Sequence, residues 1–240
     1  MRQTNSPCAR LRAAALAACL LAGGGSALAE GNPRDPYEGF NRAMFEVNEV
    51  VDTYAAKPVA QAYDNVAPLP VKAAIGNFFG NVGDLWIGVN GALQGKFADV
   101  GNDFARLLIN STVGIFGLFD VASELGLERH DEDFGQTLAV WGVGDGGYVF
   151  LPLLGPRTVR DTAAWGVDYF ASPTNYIEPV RVRNSAMVVR FVDIRASLLP
   201  SDKVVAEAAF DKYSYIRDAY LQRRRNQIYD GRPPRLDDDD

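Results

Sequence analysis

Residues 141–156 read WGVGDGGYVFLPLLGP. Three glycines of this stretch match the GxGxxG spacing of dinucleotide-binding loops: Gly142, Gly144 and Gly147. Such a loop requires a strand before the glycines and a helix after them, because the first N–H groups of that helix bind the pyrophosphate. Pro152 and the pair Gly155-Pro156 follow too soon for a helix of useful length to begin there. The chain also lacks an alternating strand pattern of useful length, so the sequence predicts neither a βαβ unit nor a cofactor.

The rest of the chain has the periodicity of helices. Asp35-Pro36 is predicted to begin the first one, with Asp35 as N-cap, and Lys57-Pro58 is predicted to end it. Apolar residues between these points recur at steps of four and three and predict a buried stripe: Phe40, Met44, Val47, Val51 and Tyr54. A second, mixed row is predicted at the flank of this stripe: Asn41, Phe45, Asn48 and Asp52. The fold class predicted is all-α.

Residues 1–29 have the pattern of an export signal, with a basic front, the apolar stretch AAALAACLLAGG and a small-residue cleavage site at residues 27–29. Residues 16–19 read LAAC, which also has the form of a bacterial lipobox with lipidation at Cys19. Both processing routes are open, and both predict export. The sequence therefore predicts three parts: a signal at 1–29, a helical domain at 30–229 and a disordered acidic tail at 230–240.

Composition argues against several functional classes. Cys8 and Cys19 are the only cysteines and both lie in the predicted signal, so the folded part has no thiol nucleophile and no disulfide. Removing the signal, which holds three basic and no acidic residues, takes the net charge from −6 to −9 and argues against a nucleic-acid partner. Residues 223–225, three consecutive arginines, are predicted to form a solvated helix end.

Catalytic and metal-binding patterns are equally weak. His130 is the only histidine, and the acidic run around it lacks the ligand spacing of a calcium loop. Since there is no GxSxG motif and no zinc ligand set, neither an enzyme nor a metal site is predicted.

Two uncharged runs are unusual: LLINSTVGIFGLF at 107–119 and YVFLPLLGP within 148–156. A helix of about 13 residues is about 20 Å long, too short to cross a bilayer. Each run could belong to an ordinary core, dip into one leaflet or line an apolar internal path, and the periodicity leaves these alternatives open.

Several separate motifs resemble, in order, those of the MlaA/VacJ outer-membrane lipoproteins. They are DPYEGFNRAMFEVN (35–48), KPVAQAY (57–63), NSTVGIFGLFDVA (110–122), DFGQTLAVWGVGDGGYVFLPLLGPRTVRD (133–161) and DAYLQRR (218–224). The chain departs from the family at Gly147, where a proline usually precedes the tyrosine. The resemblance covers about residues 35–225.

The resemblance implies a compact, ring-like helical domain embedded in the bacterial outer membrane, with an amphipathic central passage. It implies removal of misplaced phospholipids from the outer leaflet and their transfer to a periplasmic lipid carrier, in association with a trimeric porin. Exposing about 30 methylenes of a phospholipid to water would cost about 25 kcal/mol, so such transfer needs a shielded path. The alternatives are a soluble periplasmic lipid carrier and a porin-associated structural protein that transports nothing.

Within these motifs we expect the lipid passage to be formed by nine residues: Asn41, Phe45, Asn48, Gly114, Gly117, Phe119, Gly144, Tyr148 and Pro152. The first three lie on the first helix, the next three in the uncharged run and the last three in the glycine-rich loop. Replacing Phe45 or Gly114 with glutamate is expected to disturb lipid asymmetry and leave the protein folded.

Overall fold

The computed structural model describes residues 32–235, and most of them form α-helices joined by short loops. The all-α prediction is therefore confirmed, with one small addition described below. The predicted signal, including Cys19, and residues 236–240 of the predicted tail lie outside the described residues. Within residues 32–235, none of the helices combines the length and the apolar composition needed to cross a bilayer.

The first rod of the fold contains helix α1 (Glu38–Val51), a π-helical segment (Asp52–Ala56) and helix α2 (Lys57–Val66). The prediction that Lys57-Pro58 ends the helix was wrong, because Asp52 and Lys57 both keep right-handed helical dihedral angles. Pro58 falls in the first turn of α2, and the π-helical turn before it changes the hydrogen-bond register there. The missing proline N–H is tolerated at such a position.

Asp35 does not cap α1. Tyr37 occupies the N-cap position and makes no side-chain capping bond. The Asp35 carboxylate is instead 0% exposed and accepts hydrogen bonds from Asn41 Nδ2 at 2.8 Å and from the Tyr213 hydroxyl at 2.5 Å. Asp35, which the sequence predicted to cap the first helix, instead makes a buried polar contact with Tyr213 near the C-terminal end of the fold.

The buried face of α1 is also not the predicted one. Of the predicted stripe only Met44 is buried, whereas Phe40 is 42% and Tyr54 81% exposed. Asn41, from the mixed row, has no exposed surface, and Asn48 is partly buried. The prediction failed because it assumed that the apolar side of a helix faces the protein interior.

Helices α3 (Leu69–Leu93) and α4 (Phe97–Thr112) pack together over much of their length. The remaining helices, in chain order, are α5 (Val121–Glu124), α6 (Phe134–Val140), α7 (Val159–Ala171), a 3-10 turn (Pro173–Tyr176), α8 (Val180–Ser197), α9 (Leu199–Ala208) and α10 (Lys212–Ile228). Helix α8 contacts α2, α3 and α9, while α10 contacts α6 and α9. The first rod thus packs against α8 through α2.

A β-hairpin interrupts the helical pattern. Strands β1 (Tyr148–Leu151) and β2 (Gly155–Thr158) pair antiparallel, with Tyr148 opposite Thr158. The sequence did not predict these strands, since four residues are too few to show alternation and Pro156 lies within β2. The glycines precede the hairpin, and α7 begins only after β2, so the order of elements differs from that of a dinucleotide-binding loop.

A buried apolar cluster lies where α1, β1 and α10 meet. Met44, Tyr148, Phe150 and Tyr213 are buried there, and Tyr148 and Tyr213 pack at 6.3 Å between ring centroids.

The prediction that residues 223–225 form a solvated helix end is partly wrong. Arg224 is buried and forms salt bridges with Asp133 at 2.6 Å and Asp161 at 2.9 Å.

Candidate functional site

The hairpin is attached to α1 through two asparagine side chains. The Asn41 amide donates from Nδ2 to the Tyr148 carbonyl at 3.0 Å and accepts the Phe150 N–H on Oδ1 at 2.8 Å. It therefore imitates a neighbouring strand on the free edge of β1. Because Asn41 is fully buried, each of these bonds is made without competition from water.

Asn48 makes the same type of pair two helical turns later. Its Nδ2 donates to the Leu151 carbonyl at 2.9 Å, and its Oδ1 accepts the Leu153 N–H at 2.7 Å. The spacing of seven residues places both asparagines on one face of α1. This face, rather than the apolar stripe, positions the hairpin.

Phe45 lies between the two asparagines in sequence and packs into the core beneath the hairpin. Its ring meets Phe150 edge to face at 5.4 Å and Tyr213 at 5.8 Å. A glutamate at this position would place a carboxylate among aromatic rings, so the expectation that Phe45→Glu leaves the fold intact loses its basis.

A cavity of about 540 Å³ lies beside the hairpin, between α1, α8, α9 and α10. We call it the hairpin cavity. Much of its wall is apolar and open to solvent, and comes from Phe45, Phe150, Leu153, Leu154, Phe191 and Ile194. Leu153 is 69% exposed, which is unusual for a large apolar side chain on a cavity wall in water.

One side of the hairpin cavity carries a charged cluster. The Arg195 guanidinium binds both oxygens of Asp52, at 2.6 and 2.8 Å, and also Asp202 at 2.9 Å. Lys57 reaches the same oxygen of Asp202 at 2.9 Å. Burial alone would raise the pKa of Asp202, but the hydrogen bonds from Arg195 and Lys57 outweigh burial and lower it. The cavity is thus amphipathic, with an apolar wall and a charged edge.

The structure brings together five of the nine residues that the sequence predicted. Asn41, Phe45, Asn48 and Tyr148 meet at the hairpin, and Pro152 lies in its turn. Asn48 and Phe45 line the hairpin cavity. Tyr148 is 1% exposed and packs in the core behind the strand.

Gly144 lies in the loop before β1 and borders a different cavity, next to Arg160. A side chain at Gly144 would meet no neighbouring atom within 4 Å. Neighbouring Gly147, the position that departs from the family pattern, is more restricted, since a Cβ there would lie 2.6 Å from Pro36.

Gly114, Gly117 and Phe119 lie elsewhere, in a tight turn of residues 113–119 that follows α4. Gly117 has a positive φ of 82° and lies against Asn81 of α3. Phe119 is 59% exposed. A Cβ on Gly114 would lie 2.2 Å from the Phe119 carbonyl oxygen, so the expectation that Gly114→Glu leaves the protein folded also loses its basis.

A buried polar cluster holds the turn of residues 113–119 in place. Arg106, which is 1% exposed, binds both oxygens of Asp120 at 2.9 and 3.0 Å, and Asn110 donates to the same carboxylate. Burial opposes ionisation of Asp120, yet hydrogen bonds from Ser123, Asn110 and Arg106 lower its pKa to about 2. The cluster fixes α5 and the turn against α4.

His130 takes part in a local contact, with Nδ1 2.7 Å from a carboxylate oxygen of Asp103. Across residues 32–235, no three His, Cys, Asp or Glu side chains gather in a way that could hold a metal ion.

Sequence reasoning missed the charged cluster at the hairpin cavity. The sequence placed Asp52 only at the flank of the first predicted helix and did not connect it with Arg195. No local signal distinguished these residues, because α1 and α8 carry several other charged side chains. Pairing them required the three-dimensional structure, because Asp52 and Arg195 are 143 residues apart.

The family model described as MlaA lipoprotein matches residues 33–227. This range covers nearly all of the described chain. The protein belongs to the MlaA lipoprotein family. The resemblance found in the motifs is thereby confirmed.

Curated relatives agree with this MlaA assignment. The chain is 36% identical over 220 residues to the Escherichia coli protein named intermembrane phospholipid transport system lipoprotein MlaA. This match covers 89% of this chain and 86% of the E. coli protein. It is 30% identical over 207 residues to the Haemophilus influenzae protein of the same name, covering 82% and 80%. An uncharacterized Rickettsia bellii protein is 35% identical over 195 residues, covering 81% of this chain and 76% of the relative.

A solved structure shows the same MlaA fold. It is described as "Structural basis for maintenance of bacterial outer membrane lipid asymmetry". It superposes on this chain with a TM-score of 0.71 at 35% sequence identity. The match covers 82% of this chain and 99% of that one. The helical architecture is therefore shared with an experimentally determined relative.

Proposed function

We propose that this protein removes misplaced phospholipids from the outer leaflet of the bacterial outer membrane and passes them to a periplasmic lipid carrier, without enzymatic chemistry. A trimeric porin is its proposed neighbour in the membrane. The names of the E. coli and H. influenzae relatives support a role in phospholipid transport. The words that describe the related structure support a link to lipid asymmetry.

The hairpin cavity is the observation that carries this proposal. It joins a wide apolar wall to the charged cluster of Arg195, Asp52 and Asp202. A phospholipid has the same two-part character, and shielding its roughly 30 methylenes from water removes most of a cost of about 25 kcal/mol. The cavity therefore suits a lipid better than it suits a small polar metabolite.

The distribution of side chains supports a membrane environment. Apolar residues such as Phe40, Tyr54 and Phe116 are 42 to 81% exposed, while charged and amide side chains such as Asp35 and Arg106 are nearly fully buried. In water, exposing so much apolar surface is unfavourable, whereas contact with lipid chains removes the penalty. We propose that the outward side of α1 and the turn of residues 113–119 contact the membrane.

The hairpin is the proposed movable wall of the passage. Its two strands have four residues each, and two asparagine side chains attach it to α1. Because Tyr148 and Phe150 are buried in the core, we assign the movement to the turn of residues 152–154. Its displacement would widen the hairpin cavity, and Asn48 would return it to one position.

The proposal is tested by purifying the protein from native membranes and identifying the lipids that co-purify by mass spectrometry. Leu154→Glu places a charge on the cavity wall, where Leu154 is 39% exposed. Leu93→Glu is the matched control, because Leu93 is 42% exposed and lies outside the cavity lining. We expect wild type and the control to retain phospholipid and Leu154→Glu to lose most of it.

The same purification separates the alternatives. A soluble carrier would be released from membranes by salt, whereas an embedded protein needs detergent. A structural partner of porins would co-purify with porin but carry no phospholipid. Cells with Leu154→Glu are expected to become sensitive to detergent, and full detergent resistance in those cells would contradict a transport role for the cavity.

A further inference from the structure

A second cavity, of about 450 Å³, lies between α3, α8 and the loop that carries Arg129. We call it the arginine cavity. Ile194 of α8 lines both this cavity and the hairpin cavity. The two cavities therefore adjoin along one helix, and a ligand with two chemically different ends could occupy both.

Arg190 lines the arginine cavity without a counter-charge. Its guanidinium carbon lies 5.3 Å from the centre of the Phe79 ring, in a cation–π contact. No carboxylate of residues 32–235 forms a salt bridge with it, and burial lowers its pKa. A guanidinium that rests only on an aromatic face has most of its N–H donors available to an anion.

Arg129 supplies a second cation to the same cavity. A Cβ on Gly80 would lie 1.8 Å from Arg129 Nη2, so the guanidinium lies directly against the backbone of α3. Its carboxylate neighbour is Asp84, and the distance of 3.7 Å is longer than a hydrogen bond. The Arg129 side chain is 41% exposed toward the cavity opening.

The two carboxylates that line the arginine cavity are bonded to other groups. Asp193 accepts the Tyr63 hydroxyl at 2.7 Å, and Asp131 accepts Gln227 Nε2 at 2.8 Å and lies 3.5 Å from Arg223. Burial and the Asp193 contact raise the pKa of Tyr63 to about 12, so Tyr63 remains a neutral donor. Among the described residues that line the cavity, Arg190 is thus the cation without a salt bridge, and Arg129 is held only by its longer contact with Asp84.

The chemistry of this cavity fits a phosphate that is attached to an apolar chain. Guanidinium groups bind phosphate oxygens through paired N–H donors, which favours phosphate over a simple point charge. Phe79, Ile87 and Ile194 supply apolar surface beside the arginines, which an inorganic phosphate ion would not use. The adjoining hairpin cavity offers further apolar surface for the chains.

We propose that the arginine cavity binds the phosphate of a phospholipid headgroup, with Arg190 as the main contact and Arg129 as the second, while the acyl chains lie toward the hairpin cavity. This assignment deepens the proposed function and rests on it. It gives the passage a defined headgroup position next to α8.

The test uses the full protein in a non-ionic detergent. Binding is measured for a short-chain phosphatidylethanolamine, for the diacylglycerol with the same chains and for inorganic phosphate. Arg190→Gln removes the charge and keeps a similar length. Arg181→Gln is the matched control, because Arg181 is an exposed arginine on the same helix that lines neither cavity.

We expect Arg190→Gln to weaken phosphatidylethanolamine binding at least tenfold and to leave diacylglycerol binding unchanged, with no effect of Arg181→Gln. Equal phosphatidylethanolamine binding by wild type and Arg190→Gln would overturn the headgroup site but not the proposed function. Inorganic phosphate that binds as tightly as the lipid, with the same dependence on Arg190, would overturn the lipid assignment. Failure of wild type to bind either lipid would overturn the proposed function itself.

Discussion

Asn48 and Leu153 are joined by a 2.7 Å hydrogen bond in which the side-chain Oδ1 accepts the backbone N–H. The same amide also donates to the Leu151 carbonyl, at 2.9 Å. One side chain of α1 is therefore bonded on both sides of Pro152, the turn residue that has no N–H of its own. This arrangement fixes the tip of the hairpin at the edge of the hairpin cavity.

Asn48→Ala should release the tip of the hairpin. Two backbone groups lose their partners, and each lost bond is worth about 1 kcal/mol. We expect amide hydrogen exchange at Leu153 to become at least tenfold faster, while exchange in α10 stays unchanged. Glu46→Ala, at an exposed position of the same helix, is the control. Unchanged exchange at Leu153 would show that Asn48 does not hold the turn.

Asp35 should contribute strongly to stability, because its buried carboxylate faces Arg217 at 3.1 Å. Asp35→Ala leaves a guanidinium that is only 9% exposed without this partner, and breaking such a buried pair costs about 3 to 5 kcal/mol. The measurement is the free energy of unfolding in denaturant. Asp218→Ala removes the other carboxylate bound to Arg217, but Asp218 is 56% exposed, so a loss of less than about 1 kcal/mol is expected. Equal losses in the two variants would contradict this assignment.

Asp120 should make part of the stability depend on pH. Its pKa is about 2 in the folded protein, below the value of about 3.9 for an unfolded chain. Its stabilising contribution, about 2 kcal/mol, is therefore fully present above about pH 5 and lost as the pH falls through 2. Asp120→Asn should be less stable than wild type at pH 6, and the difference in unfolding free energy should shrink toward pH 2. A difference that stays constant over this range would rule out the ionised carboxylate as its source.

Gly117 and Gly126 form a natural pair for testing the turn after α4. Both have a φ of 82°, but a Cβ on Gly117 would lie 2.6 Å from Asn81 whereas one on Gly126 would meet nothing within 4 Å. Alanine at either position costs about 1 kcal/mol for the left-handed backbone. Gly117→Ala should cost about 1 to 3 kcal/mol more, because the turn must move away from α3. Thermal unfolding of the two variants measures the difference in stability. Equal melting temperatures would mean that the Asn81 side chain moves aside at little cost.

Much of the fold could be predicted from the sequence, because helical periodicity is a local property. The orientation of α1 could not. Periodicity identifies an apolar face and a polar face, but it does not say whether water or lipid lies outside. Phe40 and Tyr54 were assigned to the interior and are exposed, while Asn41 was assigned to a flank and is fully buried.

Parts of the candidate site were predicted and others were not, for a similar reason. Asn41, Phe45, Asn48 and Tyr148 came from family motifs, and the structure places them together at the hairpin. Arg190, Arg195 and Asp52 act through neighbours that are distant in the chain. No local pattern reports such pairs, since a charged residue in a helix normally marks a solvated face.

The π-helical segment Asp52–Ala56 sets the angular relation between the two halves of the first rod. A π turn corresponds to one residue inserted into an α-helix, and one residue rotates everything after it by about 100°. Helix α1 can thus direct its asparagines at the hairpin while α2 directs Ala60, which has no exposed surface, toward its own neighbours. Deleting a single residue such as Thr53 would restore a regular helix and turn one of these two faces away from its partner. The number of residues in the first rod therefore fixes the directions of both faces, so its length is as constrained as its composition.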